Sequence, residues 1–126
     1  INIEARTMMD MAGKQIIPAV IRYTTQLAQS LSAVKAACPE ADISVQTELL
    51  TETSALLSDM KVALAALEDL TAESASAEEG RIRAQAYHDK VVPAMEALRA
   101  PADRLEMIVD KELWPFPSYG DLIFEV

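Results

Sequence analysis

The sequence predicts an all-α domain, and three observations support this fold class. The composition is rich in Ala and Leu, and 51% of the residues are apolar, a bias that favours helices. Only three glycines occur and 5% of residues are aromatic, whereas sheets are enriched in aromatic and β-branched residues. Apolar residues recur at three- and four-residue spacings. We expect an antiparallel bundle of three long, proline-kinked helices, or four or five if the prolines divide them, with an extended aromatic-rich C-terminal tail.

The first helix is predicted over residues 3–37. Its apolar face repeats every seven residues in two rows, Met9-Ile16-Tyr23 and Val20-Leu27-Val34. Pro18 lies inside this pattern, lacks an N–H and clashes with the preceding turn, so a kink is expected there.

The second helix is predicted over residues 45–73. Pro39 disfavours helix at Cys38 and so ends the first helix, and Ser44 or Thr47 offers an oxygen to cap the second. Two rows of apolar residues follow, Leu49-Leu56-Ala63-Leu70 and Leu50-Leu57-Leu64. A stripe this wide is typical of a helix that packs against two neighbours.

The third helix is predicted over residues 78–111, after a polar connector in which Ser74 or Ser76 supplies the N-cap. Pro93 and Pro101 should bend it or split it near Ala100-Pro101. Its predicted seam consists of Val91, Met95, Leu98, Ala102, Leu105 and Val109.

The predicted tail, residues 113–126, holds four of the six aromatic residues of the chain. Disordered tails are poor in aromatics, so we expect this segment to dock on its own bundle or on another domain or subunit. Three closely spaced methionines near the start cannot all face one core, so part of that surface is also a docking candidate. The candidate docking residues are Trp114, Phe116, Tyr119, Phe124, Met8 and Met11.

The charge of the chain disfavours two classes of partner. The formal net charge is -9, and residues 38–80 contain ten acids and one basic residue, Lys61. An acidic chain repels nucleic-acid phosphates and anionic membrane surfaces. A single cysteine, Cys38, excludes an internal disulfide, so reduced cytoplasm is the expected compartment.

No motif of catalytic, nucleotide-binding or metal-binding chemistry is found. The chain lacks Gly-rich phosphate loops and paired-histidine motifs. His88 is the only histidine, and it is expected at a seam edge, bonded to a neighbour. Cys38 has no nearby basic activator. We therefore expect no catalytic, cofactor-binding or metal-binding residue in this chain.

Several segments resemble the C-terminal region of type III glutamine synthetases. They are residues 2–12 (NIEARTMMDMA), 17–20 (IPAV), 89–99 (DKVVPAMEALR) and 114–124 (WPFPSYGDLIF). The last is the most specific, and Ile123 departs mildly from the Leu usual in that family. The resemblance runs nearly end to end, although residues 38–80 match only in helical character.

The resemblance implies a cytoplasmic parent enzyme that joins ammonia to glutamate. The parent would use ATP and a divalent metal, Mg or Mn, in an upstream catalytic domain, and would assemble as two stacked hexameric rings, a dodecamer. This chain would then be a non-catalytic assembly domain whose partners are its own catalytic domain and neighbouring subunits. Its internal-looking start at Ile1 fits a fragment.

Two alternatives belong to other functional classes. One is a free-standing interaction module whose acidic second helix binds a basic partner, which predicts salt-sensitive binding. The other is a small metalloenzyme bundle, although the Glu-x-x-His motifs of di-iron bundles are missing.

Overall fold

A computed structural model of the protein describes residues 2–75 and 80–117. The all-α prediction is confirmed, since the described residues contain no strand. The elements are α1 (Asn2–Met11), the π-helical turn π1 (Ala12–Ile16), α2 (Ile17–Ala37), α3 (Ser44–Ala75), α4 (Arg81–Ala86), the π-helical turn π2 (Tyr87–Val91) and α5 (Val92–Ile108). Three continuous helical stretches therefore correspond to the three predicted helices, and π turns divide two of them.

The two π turns are the structural response to Pro18 and Pro93. Each proline lacks the N–H of a normal helical bond and its ring crowds the preceding turn. One extra residue per turn relieves this conflict, because the residue before the proline then bonds five positions back. Ile17 donates its N–H to the Ala12 carbonyl, and Val92 donates to that of Tyr87. The helix continues through both prolines.

The third internal proline behaves differently. Pro101 is buried within α5, which is continuous from Val92 to Ile108, so the predicted split near Ala100-Pro101 is wrong. Pro101 cannot bond to the carbonyl of Ala97, but Ala97 lies on the exposed face, where water can satisfy that oxygen.

The helix ends follow local hydrogen bonding. Cys38 is extended and donates its N–H to Val34, which ends α2 before Pro39. The predicted caps of α3 are wrong: Asp42 accepts a 3.0 Å bond from the Ser44 N–H, while the Thr47 hydroxyl bonds back to Ile43. Hydrogen bonds from Ser44 lower the pKa of the Asp42 carboxyl.

The second helix ends later than the predicted residue 73, at Ala75. Ser74 lies inside α3 and is buried, so its predicted capping role is wrong, and Ser76 and Glu78 lie outside the described residues. Gly80 precedes α4 with a φ of 87°, a left-handed conformation that favours glycine.

The centre of the domain is α3, which contacts α1 and α2 on one side and π2 and α5 on the other. The two predicted apolar rows, which are half-buried except at Leu64, flank its most buried line, which is Thr53, Met60, Leu67 and Ser74. Thr53 and Ser74 were not predicted to be buried because they are polar. The Thr53 hydroxyl is satisfied by the Leu49 carbonyl at 2.7 Å, the usual route for a buried helical threonine.

Two ion pairs join α3 to the last helical stretch, one through α5 and one through π2. Arg104 donates from Nε and Nη2 to Oε1 of Glu52 at 2.9 and 2.7 Å. Lys90 donates to Glu73 at 2.6 Å. Because the later residue of α3 meets the earlier residue of the last stretch, the two run in opposite directions. These half-exposed pairs set register more than stability, since such pairs contribute about 0–1 kcal/mol.

The first and last stretches run in the same direction. Tyr87 feels the charge of Glu4, and Tyr23 feels that of Asp110. Along the first stretch, Glu4 lies two turns before π1. Tyr87, which lies beside Glu4 in the bundle, is the first residue of π2. The two π turns are therefore at different levels along the bundle.

We predict that Leu105→Ala lowers the free energy of unfolding by about 2–5 kcal/mol, because removal of a buried leucine leaves a cavity. Leu105 is 0% exposed. The matched control is Met107→Ala in the same helix, where the side chain is 79% exposed and the change should stay within about 0.5 kcal/mol. Urea unfolding followed by helical circular dichroism measures both, and equal losses would contradict the assigned burial.

We predict an alkaline loss of stability that depends on Tyr23. Burial, reinforced by the charge of Asp110, raises the pKa of Tyr23 above its usual value of 10.0. The unfolded chain therefore ionises first, so this stability is complete below about pH 10 and is lost as pH rises through the raised pKa. Tyr23→Phe should lose less stability than wild type between about pH 8 and about pH 11. Urea midpoints measure this, and identical pH profiles would contradict it.

Candidate docking groove

The described part of the tail returns to the bundle through a turn centred on Asp110. Its carboxylate accepts the N–H of Glu112 at 2.9 Å. Its carbonyl accepts the N–H groups of Leu113 and Trp114 at 2.9 and 3.0 Å. Val109 before the turn is extended. This turn places Trp114 against the core, where the side chain is only 9% exposed.

Trp114 and Phe116 pack edge to face. Their ring centroids are 6.4 Å apart and their planes meet at 79°, a favourable geometry for aromatic pairs. Phe116 is partly buried and packs against the core cluster. Pro115, between them, is exposed, so the two aromatic side chains, together with Leu113, hold this segment on the domain.

A solvent-accessible groove of about 500 Å³ lies between α1 and α5. Its apolar lining comes from three helices and from the returning segment. The α1 side contributes Met8 and Met11, the α5 side Met95 and Leu98, and α3 contributes Met60; Trp114 and Phe116 also line it. Charged side chains complete the lining, namely Glu4, Arg99, Asp103 and Glu106.

Four of the six candidate docking residues meet at this groove. Met8, Met11, Trp114 and Phe116 line it, whereas Tyr119 and Phe124 lie outside the described residues. The role of all six in docking remains a prediction. Met95 was expected in the seam of the third helix, but neither Met95 nor Met60 was expected on a binding surface, because only the tertiary arrangement brings them beside α1.

A second groove runs along α4, π2 and the start of α5. Its lining includes Glu4, Arg83, Tyr87 and His88. The Tyr87 hydroxyl contacts the Met95 sulfur at 3.6 Å. Burial first, and then the charge of Glu4, raise the pKa of Tyr87, against a hydrogen bond with Ala5 that lowers it.

The expected seam position of His88 is wrong. The side chain is exposed and its Nδ1 lies 3.4 Å from the Oδ1 of Asp89. Hydrogen bonds from Gln85 and then His88 lower the pKa of the Asp89 carboxyl. Cys38 is an exposed free thiol. Residues 2–75 and 80–117 contain no group of three or more His, Cys, Asp or Glu side chains arranged to hold a metal ion.

No described helix combines the length and the apolar character needed to span a membrane.

Comparisons with known proteins point to one family. A family model described as Glutamine synthetase C-terminal domain matches residues 1–35. A glutamine synthetase from Bacteroides fragilis (strain YCH46) is 31% identical over 98% of this chain and 18% of its own length. One from Butyrivibrio fibrisolvens is 24% identical over 100% of the chain and 18% of its own length. A type-3 glutamine synthetase from Dictyostelium discoideum is 24% identical over 98% of the chain and 17% of its own length. The chain thus spans less than a fifth of these relatives.

The single tryptophan of the chain lines the groove, so its fluorescence reports on this part of the structure. Because Trp114 is 9% exposed, we predict that its emission in the folded chain is blue-shifted and weakly quenched by acrylamide. It should move to the red on urea unfolding, together with the loss of helical circular dichroism. Phe116→Ala should increase quenching in the folded state by removing the edge-to-face partner. Quenching as strong in the folded chain as in the unfolded one would contradict the placement of Trp114.

Proposed function

Because the chain belongs to the glutamine synthetase C-terminal domain family, we propose that it is the non-catalytic structural and assembly domain of a type III glutamine synthetase. Its architecture in this proposal is an antiparallel bundle of three helical stretches that packs on the rest of the parent enzyme. The parent would make glutamine from glutamate and ammonia, with ATP and Mg²⁺ or Mn²⁺ bound in its catalytic domain. It would act in the cytoplasm as a dodecamer.

The observation that carries this proposal is the apolar groove between α1 and α5. Met8, Met11, Met95 and Phe116 in its lining remain partly exposed, and Ile3 at its edge is 77% exposed. Contiguous exposed apolar surface of this kind marks contact sites more often than it occurs by accident. A domain with an extensive core and such a surface is suited to packing on a partner.

The ion pairs give less support to a free-standing acidic module. Glu52 and Glu73 of α3 bond to Arg104 and Lys90 of this same chain. Part of the acidic face is therefore neutralised within the domain. The module hypothesis still predicts binding that weakens steeply with salt, which distinguishes it from an apolar docking surface.

The test is the removal of these 126 residues from the full-length parent synthetase. We expect smaller assemblies by size-exclusion chromatography with light scattering, and glutamine formation that falls in parallel with assembly. Leu105→Ala in the full-length enzyme should produce a weaker form of the same defect, whereas Met107→Ala should not. A truncated enzyme with wild-type assembly, thermal midpoint and activity would contradict the proposal.

A further inference from the structure

The groove between α1 and α5 has an acidic rim. Glu4, Asp103 and Glu106 line it, and none of the three forms an ion pair within the described part of the chain. The one basic side chain of the rim, Arg99, is already paired with Glu96 at 3.3 Å. The rim therefore presents uncompensated negative charge.

The interior of the groove is soft and apolar. Four of the six methionines of the chain line it, namely Met8, Met11, Met60 and Met95. Methionine side chains are flexible and polarizable, and they adapt to apolar side chains of different shapes. Such surfaces are suited to an amphipathic segment whose apolar face enters the groove.

Trp114 adds a specific polar requirement. Its indole N–H is buried and has no hydrogen-bond acceptor among residues 2–75 and 80–117. Buried donors are normally paired. The nitrogen is closed to solvent in this conformation, so a main-chain or side-chain oxygen of a bound segment reaches it only if the Trp114 ring turns toward the groove.

We propose that this groove binds an amphipathic segment from the rest of the parent synthetase, with apolar anchors flanked by Lys or Arg. This inference rests on the proposed function, and it adds the surface and the chemistry of the contact. The apolar anchors would cover the methionines and Trp114. The basic flanks would pair with Glu4, Asp103 and Glu106, which gives the contact its register.

Charge argues against the other occupants. A second copy of this chain carries a net charge of -9, so its approach to the acidic rim is repelled. Residues 118–126 contain Asp121 and Glu125 and no Lys or Arg. Their negative charge is repelled by the acidic rim. The relatives extend far beyond the matched region, since the chain covers 17–18% of their length, so the parent offers many other segments.

The first test is site-specific photocrosslinking in the full-length synthetase. Thr7 lines the groove and is exposed, so p-benzoylphenylalanine replaces it there. Thr51, an exposed threonine of α3 outside this groove, is the matched control. After irradiation, mass spectrometry should locate the Thr7 crosslink in an apolar segment with Lys or Arg flanks outside these 126 residues, and the Thr51 probe should not reach that segment. Crosslinks to residues 118–126, to a second copy of this domain, or to no segment would overturn the proposal.

The second test concerns the negative charge of the rim. Asp103→Lys with Glu106→Lys should lower the yield of the Thr7 crosslink at least about fivefold, as expected from two lost ion pairs of about 0.5 kcal/mol each. The control, Asp59→Lys with Glu68→Lys, makes the same change in net charge at exposed sites of α3 outside this groove. Equal losses in the two variants, or no loss in the first, would overturn the charge assignment.

The two proposals fail differently. If deletion of the domain disperses the assembly but the Thr7 probe gives none of the expected crosslinks, the groove assignment is wrong and the structural role stands. If deletion leaves assembly and activity unchanged, the structural role is wrong, whatever the crosslinks show.

Discussion

The burial of α3 between two neighbours is the constraint on which the rest of the domain depends. A helix with one partner buries one stripe, but α3 meets α1 and α2 on one side and α5 on the other. Its most buried line therefore runs between its two leucine rows, through Met60 and Leu67. Because a groove separates α1 from α5, the outer helices depend mainly on α3 for their buried surface.

The proline-linked π turns let long helices remain continuous within this arrangement. A proline inside a plain α-helix forces a kink or a break. A broken helix would place helix ends with unpaired backbone groups against α3. The extra residue at Ala12–Ile16 and at Tyr87–Val91 satisfies the backbone just ahead of each proline. Both turns carry core residues, Ile16 and Val91, so the accommodation is made within the packed interface.

The groove is a consequence of the same packing. Both outer stretches pack on α3, and a space remains between α1 and α5. Met60 of α3 lines this space. The Asp110 turn then brings Trp114 to this space, and the aromatic pair contributes to its lining. An apolar site with an acidic rim is thereby assembled from three helices and one loop, which suits recognition of another segment better than chemistry on a small substrate.

The sequence by itself determined the helical class, the loop that follows α2 and the identity of the seam residues Val91, Leu98 and Leu105, because these follow from local propensity and from the 3.6-residue period. It also singled out Met8, Met11, Trp114 and Phe116 as surface candidates. Only the tertiary structure decided that Thr53 and Ser74 are buried, that Pro101 leaves α5 continuous, and that four of the candidate docking residues share one groove with Met60 and Met95. The physical reason is that burial, backbone satisfaction at a proline and the meeting of distant side chains depend on which neighbours each helix face acquires, and periodicity along one chain does not specify neighbours.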